Sequence, residues 1–142
     1  MMKTRFLFLS LPFLVVLLCI CARVKRPNID GAWKLVECNR WGASAKAVPM
    51  SADLEEIKLI VGNRFSWTLC DKPGNTVYNG ASGTFSLEGG RYIEKIESGL
   101  PGMRPFVGTE ADYAIEVKGN RMRIDGKLAG QVDVVEVWEK ID

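Results

Sequence analysis

From residue 27 onward, apolar residues alternate with polar ones: Phe65, Trp67 and Leu69 in one run, Tyr113, Ile115 and Val117 in another, Met122 and Ile124 in a third. A period of two places one face of a pleated strand on a core and the other in water. No stretch of this region keeps a helical stripe for three turns, so the domain is expected to be all-β. Gly62-Asn63, Gly89-Gly90 and Gly119-Asn120 each separate two such runs and supply the positive φ that tight hairpins need. The pattern predicts about eight strands, near 32–38, 55–61, 64–70, 77–87, 91–97, 112–118, 121–127 and 132–141.

Eight sequential antiparallel strands can close into an up-and-down barrel, which removes the exposed edges that invite aggregation. A two-sheet sandwich is the alternative architecture. The connections favour the barrel because they alternate in length. The second, fourth and sixth are the tight Gly turns; the first, third and fifth, over 39–54, 71–76 and 98–111, are longer, and the seventh, 128–131, falls at the long-loop end. Alternate connections of such a barrel share an end. One end is therefore closed by tight turns and the other is a mouth ringed by loops, where binding residues concentrate.

The first residues break the pattern. Lys3 and Arg5 precede an uncharged apolar stretch over 6–22, as in a secretion signal. Its 17 residues include Pro12 and fall short of the roughly 20 that cross a bilayer as a helix. An uncleaved anchor and a buried helix are the competing readings, and the missing polar face argues against the second. The chain thus divides into a signal peptide or lipoprotein signal at 1–22, a linker at 23–29 and a barrel domain at 30–142. Cys21 is a possible lipidation site; ordinary cleavage beside Ala22 is the alternative. The expected location is the cell envelope, in the periplasm or at the outer membrane.

Charge then changes one conclusion. The formal +2 rests on Lys3, Arg5, Arg23, Lys25 and Arg26, and the rest of the chain carries 14 basic and 17 acidic residues, a net of −3. A mildly acidic domain without a basic stripe is a poor nucleic-acid binder.

Gly31-Ala32-Trp33 at the start of the first strand resembles the Gly-x-Trp hallmark of lipocalins and their relatives. The leader, the Gly-Ala-Trp-Lys-Leu start, the Gly-Arg-Tyr-Ile-Glu segment and the Glu-Val-Trp-Glu-Lys end are similar to small lipocalin-like envelope proteins of Bacteroidetes, largely domains of unknown function. The resemblance implies a calycin-type eight-stranded barrel, with Gly31 and Trp33 structural. It also implies that Trp33 packs across the closed end beneath a cation from a late strand, for which Arg121 or Arg123 is placed.

Candidate chemistry is sparse. The chain has no His, which removes Ser-His and Cys-His nucleophile pairs and the commonest zinc or haem ligand. No metal site, cofactor or catalytic constellation is expected, so an enzyme is disfavoured. Cys38 and Cys70 both end near the mouth and alternate away from the clearest apolar positions of their strands. They form a possible disulfide in an oxidising compartment, or two partly buried free thiols.

Trp41, Met50, Met103, Arg104 and Phe106 lie in the two longest loops, either as a binding surface or folded inward as a plug. Glu94 shares a face with Tyr92 and Ile96 and points into the barrel in one register, into solvent in the other. The Asp53, Glu55, Glu56 run reads as a solvated edge. The expectation is a non-enzymatic exported protein that holds a small hydrophobic or amphipathic molecule in the mouth through Trp41, Trp67, Met103, Arg104 and Phe106. The alternative is a periplasmic interaction or inhibitor module, its interior filled by Trp67, Phe85 and Tyr113 and its apolar loop residues turned outward.

Overall fold

A computed structural model describes residues 26–40 and 46–141. The strands are β1 (Gly31–Arg40), β2 (Val48–Pro49), β3 (Leu54–Val61), β4 (Arg64–Asp71), β5 (Thr76–Glu88), β6 (Arg91–Gly99), β7 (Glu110–Lys118), β8 (Arg121–Leu128) and β9 (Val132–Lys140), with a 3-10 helix, Pro101–Phe106, between β6 and β7. Apart from the two-residue β2, which pairs with Glu37 and Cys38 of β1, each strand runs antiparallel to the next, and β1 pairs with β9 to close the sheet. This is the eight-stranded up-and-down barrel expected from the alternation. The signal segment, Cys21 and Trp41 lie outside the described residues.

The tight turns supply the conformations that their residues favour. Gly62 has φ 64° and Gly119 φ 59°, values reached at little cost only without a Cβ. These turns and the Gly89-Gly90 turn gather at one end. Chain 26–30 is drawn across that end: the Arg26 guanidinium donates to the Leu87 carbonyl, and the Gly62 amide donates to Asp30. Ile29, placed by the sequence in the linker, is buried in the core.

Side chains directly opposite on neighbouring strands share a face, so register sorts the interior. In the closed half it holds Trp33, Leu35, Ile60, Phe65, Leu87, Tyr92, Met122, Ile124 and Trp138. Trp33 donates its indole N–H to the Ile29 carbonyl at 2.8 Å, and Lys140, opposite it on β9, sets its ammonium 5.5 Å from the ring centroid. The expected cation was Arg121 or Arg123. Both instead lie on the outer wall, Arg121 paired with Glu37 and Glu139 and Arg123 with Asp125, because their alternation opposes that of the buried Met122 and Ile124.

The Cys38–Cys70 disulfide is not formed; both thiols are free. A bulge between Leu35 and Glu37 shifts the phase of β1, so Glu37 faces out and Cys38 packs inward, its thiol 3.4 Å from the Met50 sulfur. Cys70 lies opposite Glu55, which pairs with Lys34 on the outer wall. The two sulfurs are on opposite faces of the sheet, with β3 between their strands.

Candidate functional site

Five ionisable side chains point into the open half of the barrel. Glu56 and Lys58 alternate with Ile60 on β3, Glu94 sits between Tyr92 and Ile96 on β6, and Glu136 sits between Val134 and Trp138 on β9. Each therefore inherits an inward phase from buried apolar neighbours. Arg40 turns inward for another reason: the β1 bulge reverses the phase that would have sent it to solvent.

These groups form two joined clusters. Arg40 donates through Nη1 and Nη2 to the two oxygens of Glu56, at 2.9 and 2.8 Å, and through Nε to Glu136 Oε1 at 2.8 Å. Its guanidinium carbon lies 5.6 Å from the Trp67 centroid. The Trp138 indole N–H donates to Glu136 Oε2 at 3.0 Å. Deeper, Lys58 Nζ donates to Glu94 Oε1 at 2.7 Å, and the same oxygen accepts the Tyr92 hydroxyl at 2.6 Å. The rings of Trp138, Phe65 and Tyr92 surround the Lys58 ammonium at 4.8, 5.7 and 5.7 Å.

Electrostatics at this depth depend on which partner each carboxylate has. Burial pushes Glu56 above the ordinary carboxylate range despite the pull of Arg40, and Glu136 repels it further. Burial also opposes the ionisation of Glu136, but Arg40 and Lys58 outweigh it and hold that group below the range. For Arg40, burial works against the charge, and Glu136 and Glu56 overcome it, lifting the guanidinium well above its usual value. Tyr92 and Tyr113 are both raised, first by burial and then by Glu94, and remain neutral hydroxyls.

Above the clusters lies a cavity of about 90 Å³, reached from the loop end. Arg40, Glu56, Lys58, Glu94 and Glu136 line its depth, and Trp67, Asn79 and Tyr113 its walls. Met103 of the 3-10 helix reaches down from the rim. Asn79 Oδ1 is buried and takes no hydrogen bond among the described residues.

Of the residues expected at the site, Trp67 and Met103 line the cavity. Arg104 is exposed, and Phe106 packs half-buried against the core; the 3-10 helix turns Met103 inward and so sends its neighbour Arg104 outward. Met50 lies beside Cys38. Glu94 takes the inward register. Glu56, expected on a solvated edge, is fully buried because it shares the phase of Ile60. Sequence reasoning missed Arg40, Lys58 and Glu136. For Lys58 and Glu136 the signal was present as a charge in phase with Ile60 and Trp138; for Arg40 it was hidden by the bulge.

The closed eight-strand sheet, its tight-turn end and the Trp33–Lys140 stack can be set beside solved proteins. A protein from Bacteroides uniformis described as lipocalin-like superposes with a TM-score of 0.55 at 13% identity, over 79% of this chain and 97% of its own. The barrel is lipocalin-like. An uncharacterized protein from Bacteroides eggerthii shares this lipocalin-like barrel, also with a TM-score of 0.55 and 13% identity, over 80% of this chain and 99% of that one. No protein-family model matches the chain, and no curated protein matches it. In this lipocalin-like barrel an ionic layer lies below the mouth.

Proposed function

We propose that this chain is a non-enzymatic, exported binding protein whose ligand is a small polar molecule seated in the mouth of the barrel. The observation that carries this reading is the cavity itself, lined in depth by five ionisable side chains. A hydrophobic or amphipathic ligand, expected from the loop residues, fits this interior poorly. An alkyl chain there would displace water from buried charges without replacing its hydrogen bonds, a large cost. The volume points the same way: about 90 Å³ is well below the roughly 300 Å³ at the small end of ordinary ligand pockets. It has room for on the order of half a dozen water-sized groups.

Native mass spectrometry of the protein purified from its own cells, compared with the same sample after denaturation, tests the reading. The expected result is a co-purified mass of no more than about 100 Da, the size such a cavity accepts, that is lost on denaturing. A retained fatty acid or another long-chain molecule would overturn it.

A second reading has its own support. Val48, Val77, Tyr78, Leu100 and Val107 stand exposed around the loop end, an apolar rim of the kind that docks on a protein partner. A bare protein mass, together with a co-purifying polypeptide in the envelope fraction, would favour an interaction module.

A further inference from the structure

We propose that the mouth cavity recognises its ligand as a protonated amine: a small organic ammonium ion of on the order of half a dozen non-hydrogen atoms. This inference rests on the reading of the cavity as a site for a small polar ligand and names the chemistry of that ligand.

The charge balance gives the sign. Among the described residues that line the cavity, Glu56, Glu94 and Glu136 face two cations, Arg40 and Lys58, so the ionised layer holds one negative charge in excess. Either added charge is weakly screened at this depth. A ligand cation neutralises the excess, whereas an anion doubles it. The raised Glu56 agrees: it is the carboxylate whose charge the protein supports least, and a cation placed above it supplies the missing support.

Commitment of the donors gives the same answer. Arg40 directs its Nε, Nη1 and Nη2 at Glu56 and Glu136 and lays its face toward Trp67. Lys58 donates to Glu94, and three rings surround its ammonium. An anionic ligand would compete with these buried carboxylates for the same two cations, and weakening a buried ion pair is costly.

Acceptors, by contrast, are in surplus. Asn79 Oδ1 is buried on the cavity wall and has no donor among the described residues. Among the described residues, the Lys58 ammonium and the Tyr92 hydroxyl both donate to Oε1 of Glu94, on the same cavity lining. An ammonium carries three N–H donors and no acceptor, the complement of this set. Tyr113 and Trp67 add aromatic walls to the same space, and ring faces attract cations.

The test uses three molecules of nearly one shape, n-propylammonium, 1-propanol and propionate, with decanoate as a long-chain control. Binding to the mature wild-type protein is measured at fixed ionic strength by Trp fluorescence and thermal shift. n-Propylammonium is expected to bind at least roughly tenfold tighter than 1-propanol, since one desolvated charge contact exceeds 1.4 kcal/mol, and propionate is expected not to bind. Asn79→Leu should weaken n-propylammonium more than 1-propanol, which offers one donor to the ammonium's three. Propionate binding more tightly than n-propylammonium would overturn the amine inference while leaving a small polar ligand in place. Decanoate binding with none of the three small molecules would overturn the underlying reading as well. No binding by any of the four would overturn both. The wild-type series decides the outcome even if Asn79→Leu folds poorly.

Discussion

Lys58 Nζ lies 2.7 Å from Glu94 Oε1, and neither side chain is more than 4% exposed. A pair so far from water gains from its mutual attraction but loses hydration, so its net value is small; removing one partner leaves the other stranded. Lys58→Met is expected to destabilise the barrel by about 3–5 kcal/mol. Lys58→Met combined with Glu94→Leu should recover most of that loss. Urea denaturation of the two variants checks the pair, and a double variant no more stable than the single one would show that the site needs its charges for packing.

Glu56 and Glu136 should give stability profiles of opposite slope. Glu136 is held below the ordinary value of 4.5, so it binds its proton less tightly in the folded state. The stability it contributes is present above that value and is lost as pH falls through the lower, folded one. Glu56 is raised above 4.5, so the folded state binds its proton more tightly. Its cost is present at neutral pH and is relieved as pH falls through the raised value. Relative to Glu136→Gln, the wild type should lose its advantage below about pH 4.5. Relative to Glu56→Gln, it should gain as pH falls from neutral toward that point. Parallel profiles would contradict the asymmetry.

The thiols provide a direct chemical check. Alkylation of the unfolded, unreduced protein should modify both Cys38 and Cys70, since neither is bridged. In the folded protein, burial pushes the Cys38 thiol up, with Glu136 and Glu56 adding to the shift and Arg40 opposing it. Its alkylation should therefore need a more alkaline solution than that of an ordinary thiol. Recovery of a Cys38–Cys70 crosslinked peptide would contradict the inward and outward placement of the two side chains.

Gly83 and Gly62 separate two reasons for glycine. A Cβ on Gly83 would lie 1.9 Å from the Lys95 carbonyl oxygen, at the bulge where β5 meets β6. Gly83→Ala must move backbone and is expected to cost about 2–3 kcal/mol or more. A Cβ on Gly62 meets nothing within 4 Å, so Gly62→Ala should cost only the left-handed backbone strain, about 1 kcal/mol. Thermal unfolding of the two variants should rank them in that order.

Arg121 and Trp33 test the stack at the closed end. Arg121 bridges Glu37 and Glu139 on the outer wall, so Arg121→Ala is expected to cost less than about 1 kcal/mol. Trp33→Ala removes a buried ring, its hydrogen bond to Ile29 and the surface beneath Lys140, and should cost about 3–5 kcal/mol.

Much of this architecture was legible because its physics is local. Alternation in Phe65, Trp67 and Leu69 and the Gly62-Asn63 turn depend on neighbours in sequence, and they place strands and closed end correctly. The ionic layer was harder to read. Glu56 stands beside Glu55 in an acidic run, and only its phase with Ile60 separates the buried carboxylate from the exposed one. Arg40 was out of reach altogether. Its inward turn depends on one extra residue in β1 against β9, a partner nearly a hundred positions away. Arg104 misled for the converse reason: beside Met103 it reads as part of the mouth, but a 3-10 turn separates their directions.

The pairing of β1 with β9 has a consequence for the order of events in synthesis. Gly31–Arg40 is among the first barrel strands to be made, and Val132–Lys140, its partner in the closing seam, is the last. At roughly 5–20 residues per second, the intervening chain takes on the order of 5–20 s to emerge. Throughout that interval β1 offers a free edge and the ionic layer lacks Glu136. Until Val132–Lys140 pairs, a sheet folded from the earlier strands stays open and adhesive, and that final strand supplies the seam and completes the interior charge pattern in one step.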